Sequence, residues 1–334
     1  MAATYILPIR RELLMDAREL NELTAYLRRL STHLEVVVVD GSPREVFARH
    51  DGDWGALVMH VPPDADLRTP NGKVGGVLTG LRRARHEKII VADDDVRYDD
   101  AALRRLVDLL DRAEVVRPQN YFDPLPWHAR WDTARSLLNR STGGDWPGTL
   151  GVRRSLLQAT AGYDGSALFE NLELVRTVVA AGGRELVPLD LFVRRLPPDG
   201  RHFWSQRIRQ AYDEFARPVR LAVWLALLPS AVALAWCGRW GTLLGTALGS
   251  MGLAEVGRRR AGGRAVFPMT ASVLAPLWLA ERGVCAWLAV GMRLTYGGVP
   301  YRGGVLRQAA TPMHTLRRRH RSAAIEHSSV EPWP

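Results

Sequence analysis

The sequence predicts an α/β domain built on a mostly parallel sheet with helices on both faces, followed by apolar helices suited to a membrane. Three observations carry that expectation. Short apolar runs alternate with amphipathic helical patterns over the first two hundred residues or so. Beyond residue 218, charges vanish for long intervals. One apolar run, Lys88–Ala92, ends in three consecutive aspartates, Asp93, Asp94 and Asp95.

Taken in order, Tyr5–Leu7 is the first short apolar run. Leu20, Leu23, Leu27 and Leu30 recur at three and four residues, one face of a helix. "LEVVVVDGSP" reads as a buried strand ending at Asp40, and residues 55–59 are expected to form a third strand. Val74, Val77, Leu78 and Leu81 mark a second helix, Lys88–Ala92 a fourth strand, and Ala102, Leu103, Leu106 and Leu110 a third helix. "EVVR" at 114–117 resumes strand. This rhythm implies β/α units. Ligands of such sheets bind at the carboxyl ends of the strands, where Asp40 and Asp93–Asp95 fall.

The composition narrows the function classes. The chain has 334 residues and a formal charge of +10. Lysine occurs only at Lys73 and Lys88, so arginine supplies nearly all the positive charge, and no basic-aromatic nucleic-acid module appears. Cys237 and Cys285 stand far apart in apolar stretches and have neither disulfide nor metal-ligand spacing. The N-terminus has no apolar run of signal-peptide length, so no signal peptide is expected.

The second half reads as membrane-associated. Leu221–Cys237 and Trp240–Ala254 carry no charge, with "GRW" at 238–240 as the turn. Arg258, Arg259 and Arg260 follow, which favours a hairpin returning to the cytoplasm over two buried core helices. Residues 265–292 are apolar but punctuated by Pro268, Pro276 and Glu281-Arg282, so a re-entrant or interfacial helix pair broken at Glu281-Arg282 is expected. Just before the hairpin, Trp204, Ile208, Tyr212 and Phe215 share one helical face and Gln206, Arg209 and Asp213 another. The first face is expected in lipid and the second toward the site. The chain divides into an α/β domain (1–200), an interfacial helix (201–218), a transmembrane hairpin (219–257), re-entrant or interfacial helices with a return segment (258–308), and a basic disordered tail (309–334).

The aspartate triplet needs a chemical reason, since like charges this close repel unless a cation joins them. Helix capping accounts for Asp99 or Asp100 and leaves Asp93 and Asp95 over. A strand end carrying carboxylates on alternate positions is a hard-oxygen site, suited to Mg²⁺ or Mn²⁺ completed by diphosphate oxygens and water. The helical acidic clusters that bind prenyl diphosphates are excluded, because "KIIVA" reads as strand.

In order, "VVVVDGSP", "NGKVGGVLTGLRRARHEKIIVADDDV", "GYDGSALFENLEL", "FWSQRIRQ" and, after the apolar segments, "VPYRGGVLRQ" resemble the family 2 glycosyltransferases, and among them the ceramide-glucosyltransferase-like membrane enzymes. The resemblance implies a GT-A nucleotide-sugar-binding fold. It implies that Asp40 meets the nucleotide base and that Lys73 faces the nucleotide. Asp93-Asp94-Asp95 stands at the D-x-D motif, with Asp95 and Asp93 toward the metal and Asp93 and Asp94 toward the donor. "ENLEL" departs from the family's E-D pattern: Asn171 replaces the usual base, so Glu170 is expected to take that role, with Asp145 in reserve. Gln206 and Arg209 match the Q-x-x-R pair, whereas Gln210 stands where the family has tryptophan. The reaction implied is an inverting, metal-dependent hexosyl transfer from a nucleotide-diphosphate sugar, a UDP-hexose, to a lipid or lipid-linked hydroxyl. It would take place at the cytoplasmic face of the cell membrane. A catalytically inactive nucleotide-sugar-binding protein and a basic membrane-attached scaffold are the alternatives.

Overall fold

The structure is a computed structural model that describes residues 1–301 and 304–328, with side chains as far as His320. Arg302 and Gly303 of "VPYRGGVLRQ", and residues 329–334 of the tail, lie outside the described residues.

The chain opens with β1 (Ala3–Ile9), α1 (Ala17–Ser31), β2 (Glu35–Asp40), α2 (Arg44–Trp54), β3 (Met59–Val61) and α3 (Gly72–Arg83). Next come β4 (Lys88–Ala92), β5 (Val96–Arg97), α4 (Asp100–Leu109), β6 (Val115–Val116), β7 (Gln119–Phe122) and α5 (Trp127–Thr142). The domain closes with β8 (Thr149–Arg153), α6 (Arg154–Ala159), α7 (Glu170–Ala180), β9 (Glu185–Leu186) and β10 (Phe192–Arg195). Beyond it lie α8 (Gly200–Ser205), α9 (Arg207–Tyr212), α10 (Pro218–Trp236), α11 (Trp240–Arg259), α12 (Met269–Val273) and α13 (Ala275–Tyr296). A hairpin of β11 (Val299–Tyr301) and β12 (Gly304–Leu306) then leads to α14 (Met313–Ser328), so the tail expected to be disordered carries a helix.

Seven strands form the main sheet in the order β3-β2-β1-β4-β8-β6-β9. All neighbours are parallel except β8, which runs antiparallel to both β4 and β6. Period-two alternation sorts the side chains. Tyr5, Leu7, Val36, Val38 and Ile90 join Leu20, Leu23, Leu27, Leu30, Leu103 and Leu106 on one face. Ile6, Ile89, Val91, Leu150 and Val152 join Val74, Val77, Leu174 and Val178 on the other. Strand order reverses direction between β1 and β4, and the crevice at that switch point is where the triplet emerges. Asp99 caps α4 by accepting from the Ala102 amide at 2.7 Å, which leaves Asp93–Asp95 free of that duty.

Two local expectations are corrected. The third strand lies at Met59–Val61, because Val46, His50 and Trp54 recur every four residues and extend α2 to Trp54, leaving residues 55–58 as a turn. The aromatic face of residues 201–218 does not turn outward as a unit. Tyr212 is fully buried and packs with Ile208, Phe215, Cys285 and Ala289, so α9 is a core element against α13.

The apolar helices form a layer against one side of the domain. Helix α11 lies so close to α5 that a Cβ on Gly257 would stand 1.9 Å from the Leu137 carbonyl oxygen. Helix α13 is continuous for 22 residues, with no break at Glu281-Arg282; the helical interruption falls at Leu274 instead. Glu281 is tolerated mid-helix because it is neutralised from outside its own helix. Arg207 of α9 donates to Glu281 at 2.6 and 2.9 Å and to Asp132 of α5 at 2.7 Å, and Trp131 Nε1 donates to Glu281 at 3.0 Å. Among the described residues, one helix is long and apolar enough to cross a membrane, Pro218–Trp236. Helix α11 is interrupted by glycines and does not reach that hydropathy.

Arg207 is almost fully buried and ties three elements together. Replacing it with Leu leaves Glu281 and Asp132 short of a counter-charge, a change that costs about 3–5 kcal/mol for buried pairs. Arg207→Leu should therefore lower the thermal unfolding midpoint of the detergent-solubilised protein clearly, and an unchanged midpoint would show that this cluster does not hold the layers together.

Candidate functional site

The carboxyl ends of β1, β2 and β4 open into a cavity of about 1120 Å³ that continues past α7 and α9 to the helix layer. Its walls include Asp40, Lys73, Asp93, Asp94, Asp95, Glu170, Asn171 and Arg195 on the sheet side. Gln206, Arg209, Asp213, Arg217, Trp278 and Arg282 line it on the helix side.

Each member of the triplet meets a cation delivered by a different element. Lys73, in the first turn of α3, places Nζ 2.5 Å from Asp93 Oδ1 and 2.7 Å from Glu170 Oε1. Arg195, the last residue of β10, reaches Asp93 Oδ2 at 3.3 Å and Asp95 Oδ2 at 2.9 Å. Arg11 pairs with Asp94 at 2.6 Å. The approach is close. A Cβ on Gly148, at the amino end of β8, would come within 2.6 Å of Asp93 Oδ2, so a side chain there would displace Asp93.

The electrostatics differ along the triplet. Burial pushes the Asp93 carboxyl up, but Lys73 and Arg195 outweigh it and hold the group below the usual range. Burial likewise opposes the Lys73 ammonium, and Asp93 and Glu170 more than restore it. Asp95 is pushed up to about 6 by burial and by the neighbouring Asp93 and Asp94, with Arg195 opposing. Its Oδ1 is buried without a hydrogen-bond partner. An orphaned carboxylate oxygen beside a cavity fits a divalent cation. Among the described residues no three His, Cys, Asp or Glu side chains are grouped to hold a metal by themselves.

Asp40 stands in the cavity wall with its carboxylate already engaged. It accepts from the Ser42 amide at 2.8 Å, and Oδ2 meets His50 Nδ1 at 2.6 Å and His60 Nε2 at 3.3 Å. Burial raises its pKa, and these hydrogen bonds win, holding it well below the usual carboxylate range. The two histidines stack on Trp54 and Phe47. Sequence reading missed both, although His50 sits four residues from Val46 and from Trp54 on the buried face of α2.

The helix side of the site is built by α9 and the segments that follow it. Arg209 donates to Gln206 at 3.2 Å, and its guanidinium lies over the Tyr301 ring at 5.2 Å. Tyr301 thus brings an aromatic ring to the Q-x-x-R pair, where Gln210 replaces the expected tryptophan. Gln210 itself accepts from Arg207 at 2.9 Å. The return segment braces α7: Leu168 and Phe169 amides donate to Gln308 and Ala309 carbonyls, each at 2.9 Å, and the Thr311 amide donates to Glu173 at 2.6 Å. Glu170 is therefore fixed at the start of α7 with one oxygen on Lys73.

Two other groups singled out from sequence are locked in place. Asn171 donates its amide to the Pro147 carbonyl at 2.9 Å. Asp145, the reserve base, is buried away from the cavity wall and accepts from Arg135 at 2.6 Å, Ser136 at 2.5 Å and Asn139 at 2.8 Å, so it is an anchor for α5. Phe122 reaches the cavity, while Trp131 is spent on Glu281. His128 donates to the Pro198 carbonyl at 2.8 Å and serves structure.

No curated protein matches the chain by sequence. Among solved structures it is similar to a mannosyltransferase, PcManGT from Pyrobaculum calidifontis, in complex with GDP-Man and Mn²⁺. The identity is 21%, 86% of this chain and 87% of that chain are covered, and the TM-score is 0.54. Looser overlaps occur with S. aureus TarS 1-349 in complex with UDP-GlcNAc (16% identity, 61% of each chain, TM-score 0.43) and M. tuberculosis glucosyl-3-phosphoglycerate synthase (16%, 59% of this chain and 73% of that chain, 0.39). The first likeness shows a GT-A-like α/β fold, and residues 6–160, which hold β1 to β4 and the aspartate triplet, match the model of glycosyl transferase family 2.

Proposed function

We propose that the protein is a membrane-bound, inverting glycosyltransferase that moves a sugar from a nucleotide-diphosphate donor to a hydroxyl of a lipid or lipid-linked acceptor. The observation that carries this is the single cavity that joins the triplet and Lys73 at the strand ends to Arg209, Arg217, Trp278 and Arg282 at the helix layer. A donor at one end and an acceptor entering from the other would meet inside it. The motif resemblance favours a UDP-hexose and the ceramide-glucosyltransferase-like branch.

The residues divide the work by position. Lys73 lies in the first turn of α3, capped by Asn71, where the helix dipole favours a phosphate. Asp95 and Asp93 would hold Mg²⁺ or Mn²⁺, which when bound supplies Lewis-acid neutralisation of the departing diphosphate. Arg195 keeps the two carboxylates apart and aimed into the crevice. Arg209, oriented by Gln206, has no carboxylate hydrogen-bonded to it at that position and can stabilise charge as it develops on the diphosphate.

Membrane attachment is supported by the surface of the helix layer. Helix α10 packs one face on α13 and exposes apolar residues on the other, and Val223, Val232, Leu244, Leu248, Leu277, Trp287 and Leu288 form a broad apolar belt. Trp236 and Trp240 flank the α10–α11 turn at 91% and 65% exposure, suited to an interface. Arginines cluster at the opposite end, Arg258–Arg260, and along α14. The hairpin then crosses and returns, leaving the α/β domain in the cytoplasm.

Two tests follow. Asp95→Asn should keep the fold and weaken Mn²⁺-dependent UDP or GDP binding beyond the ~10–100-fold typical of an outer-shell change; calorimetry showing wild-type affinity would remove Asp95 from the metal site. The wild-type protein, incubated with labelled UDP-glucose, UDP-GlcNAc or GDP-mannose, should move label into extractable lipid, whereas nucleotide binding without transfer favours the inactive binding protein.

For topology, Cys237 at the hairpin turn should react with a membrane-impermeant maleimide applied to intact cells. Single cysteines at Gly262 or Ser328, in a chain lacking Cys237 and Cys285, should not. Protection of Cys237 would show that the hairpin stops inside the bilayer.

A further inference from the structure

An inverting transfer to a hydroxyl needs a proton acceptor, and the candidates read from sequence are all engaged. Glu170 holds Lys73, Asn171 is a neutral amide bound to Pro147, and Asp145 is enclosed by Arg135, Ser136 and Asn139. One carboxylate in the cavity wall is different. Asp213 begins the short turn after α9, four residues beyond Arg209, and its Oδ1 is buried with no hydrogen-bond partner. Among the described residues it forms no ion pair, although Arg209, Arg217, Glu170 and Glu214 surround it closely enough to influence its charge.

Resting on the glycosyltransferase reading above, we infer that Asp213, supplied by the segment after the Q-x-x-R pair, is the proton acceptor that replaces the family's aspartate at position 171. The acceptor hydroxyl oxygen attacks the anomeric carbon, and a new C–O bond forms there. The bond from that carbon to the diphosphate oxygen breaks, and its electron pair leaves with the nucleoside diphosphate. The hydroxyl proton passes to the Asp213 carboxylate. Glu170 acts beside this step as the partner that keeps Lys73 charged and aimed at Asp93.

The surroundings tune Asp213 for the task. Burial pushes its carboxyl up to about 7, with Glu170 and Glu214 adding to the rise and Arg209 and Arg217 opposing it. A general base works best with a pKa near the operating pH. Asp145, buried but held by three donors, is not free to accept a proton in this way. The shift from position 171 to position 213 also fits the architecture. Residue 171 faces the Pro147 backbone, whereas Asp213 lies on the helix side of the cavity, where an acceptor leaving the membrane would arrive.

The test uses the full-length protein in membranes or detergent, with labelled UDP-glucose, UDP-GlcNAc or GDP-mannose as donor and transfer to extractable lipid as readout. Asp213→Asn should bind UDP or GDP with Mn²⁺ as the wild type does and lose transfer by about two to four orders of magnitude. Removing an unpartnered buried carboxylate orphans no other group, so the variant's thermal midpoint should be equal or higher. In the wild type, kcat/KM should fall as pH drops below about 7. Glu170→Gln removes a nearby negative charge and should move that acidic limb to lower pH, while Asp213→Asn should abolish it. Wild-type transfer by Asp213→Asn, or an acidic limb that persists in it, overturns the assignment. Loss of nucleotide binding in that variant also overturns it, by placing Asp213 on the donor side. If the wild type itself neither binds nucleotide nor transfers sugar, the glycosyltransferase reading fails, and that outcome is distinct from the others.

Discussion

The site depends on one chain of alternating charge: Glu170, Lys73, Asp93, Arg195, Asp95. Three aspartates in sequence cannot end a buried strand unless each is compensated, because desolvated like charges repel strongly. The fold answers by bringing Lys73 from α3, Arg195 from β10 and Arg11 from the segment after β1 to the same crevice. The compensation is incomplete at one atom, Asp95 Oδ1. That single orphan is the atom at which the proposed cation and diphosphate would add to the ion network. Gly148 matters for the same reason, since any side chain there would fill the space between Asp93 and Arg195.

A second network joins the α/β domain to the apolar helices. Arg207 sits between Asp132 and Glu281, and Arg140, also buried, donates to the Leu189 and Arg260 carbonyls at 2.8 Å. Charges of this kind are expensive to bury singly and tolerable when paired across elements. They fix how α9 meets α13 and α5, and so where Gln206, Arg209 and Asp213 face. The sheet-side and helix-side residues therefore line one cavity.

The chain departs from the motifs it resembles at Asn171 and at Gln210, and the structure shows local compensation for one of them. Tyr301, from the hairpin after α13, lies against Arg209 where the motif tryptophan is missing. Gln210 is then free to join the Arg207 network. At position 171 the amide is absorbed by the backbone of the loop before β8, which keeps α7 in place without offering a base.

The sequence alone determined the α/β class, the helices α1, α3 and α4, and the strands that end at Asp40 and at the triplet. Each of those features is local: period-two or period-four burial, or a charge that cannot sit in a core. It also marked Lys73, Glu170, Gln206 and Arg209, through motifs whose order survives in one dimension. What it could not contain is partnership. That Glu170 is held by Lys73, that His50 and His60 close on Asp40, that Asp145 is an anchor, and that α13 runs unbroken through Glu281-Arg282 all depend on residues brought together from distant parts of the chain. A charge in a helix reads as a break when its counter-ion is 74 residues away in sequence. Only the tertiary structure, by choosing which cations reach which carboxylates, decided which acids are spent on the fold and which one, Asp213, is left facing the cavity unpaired.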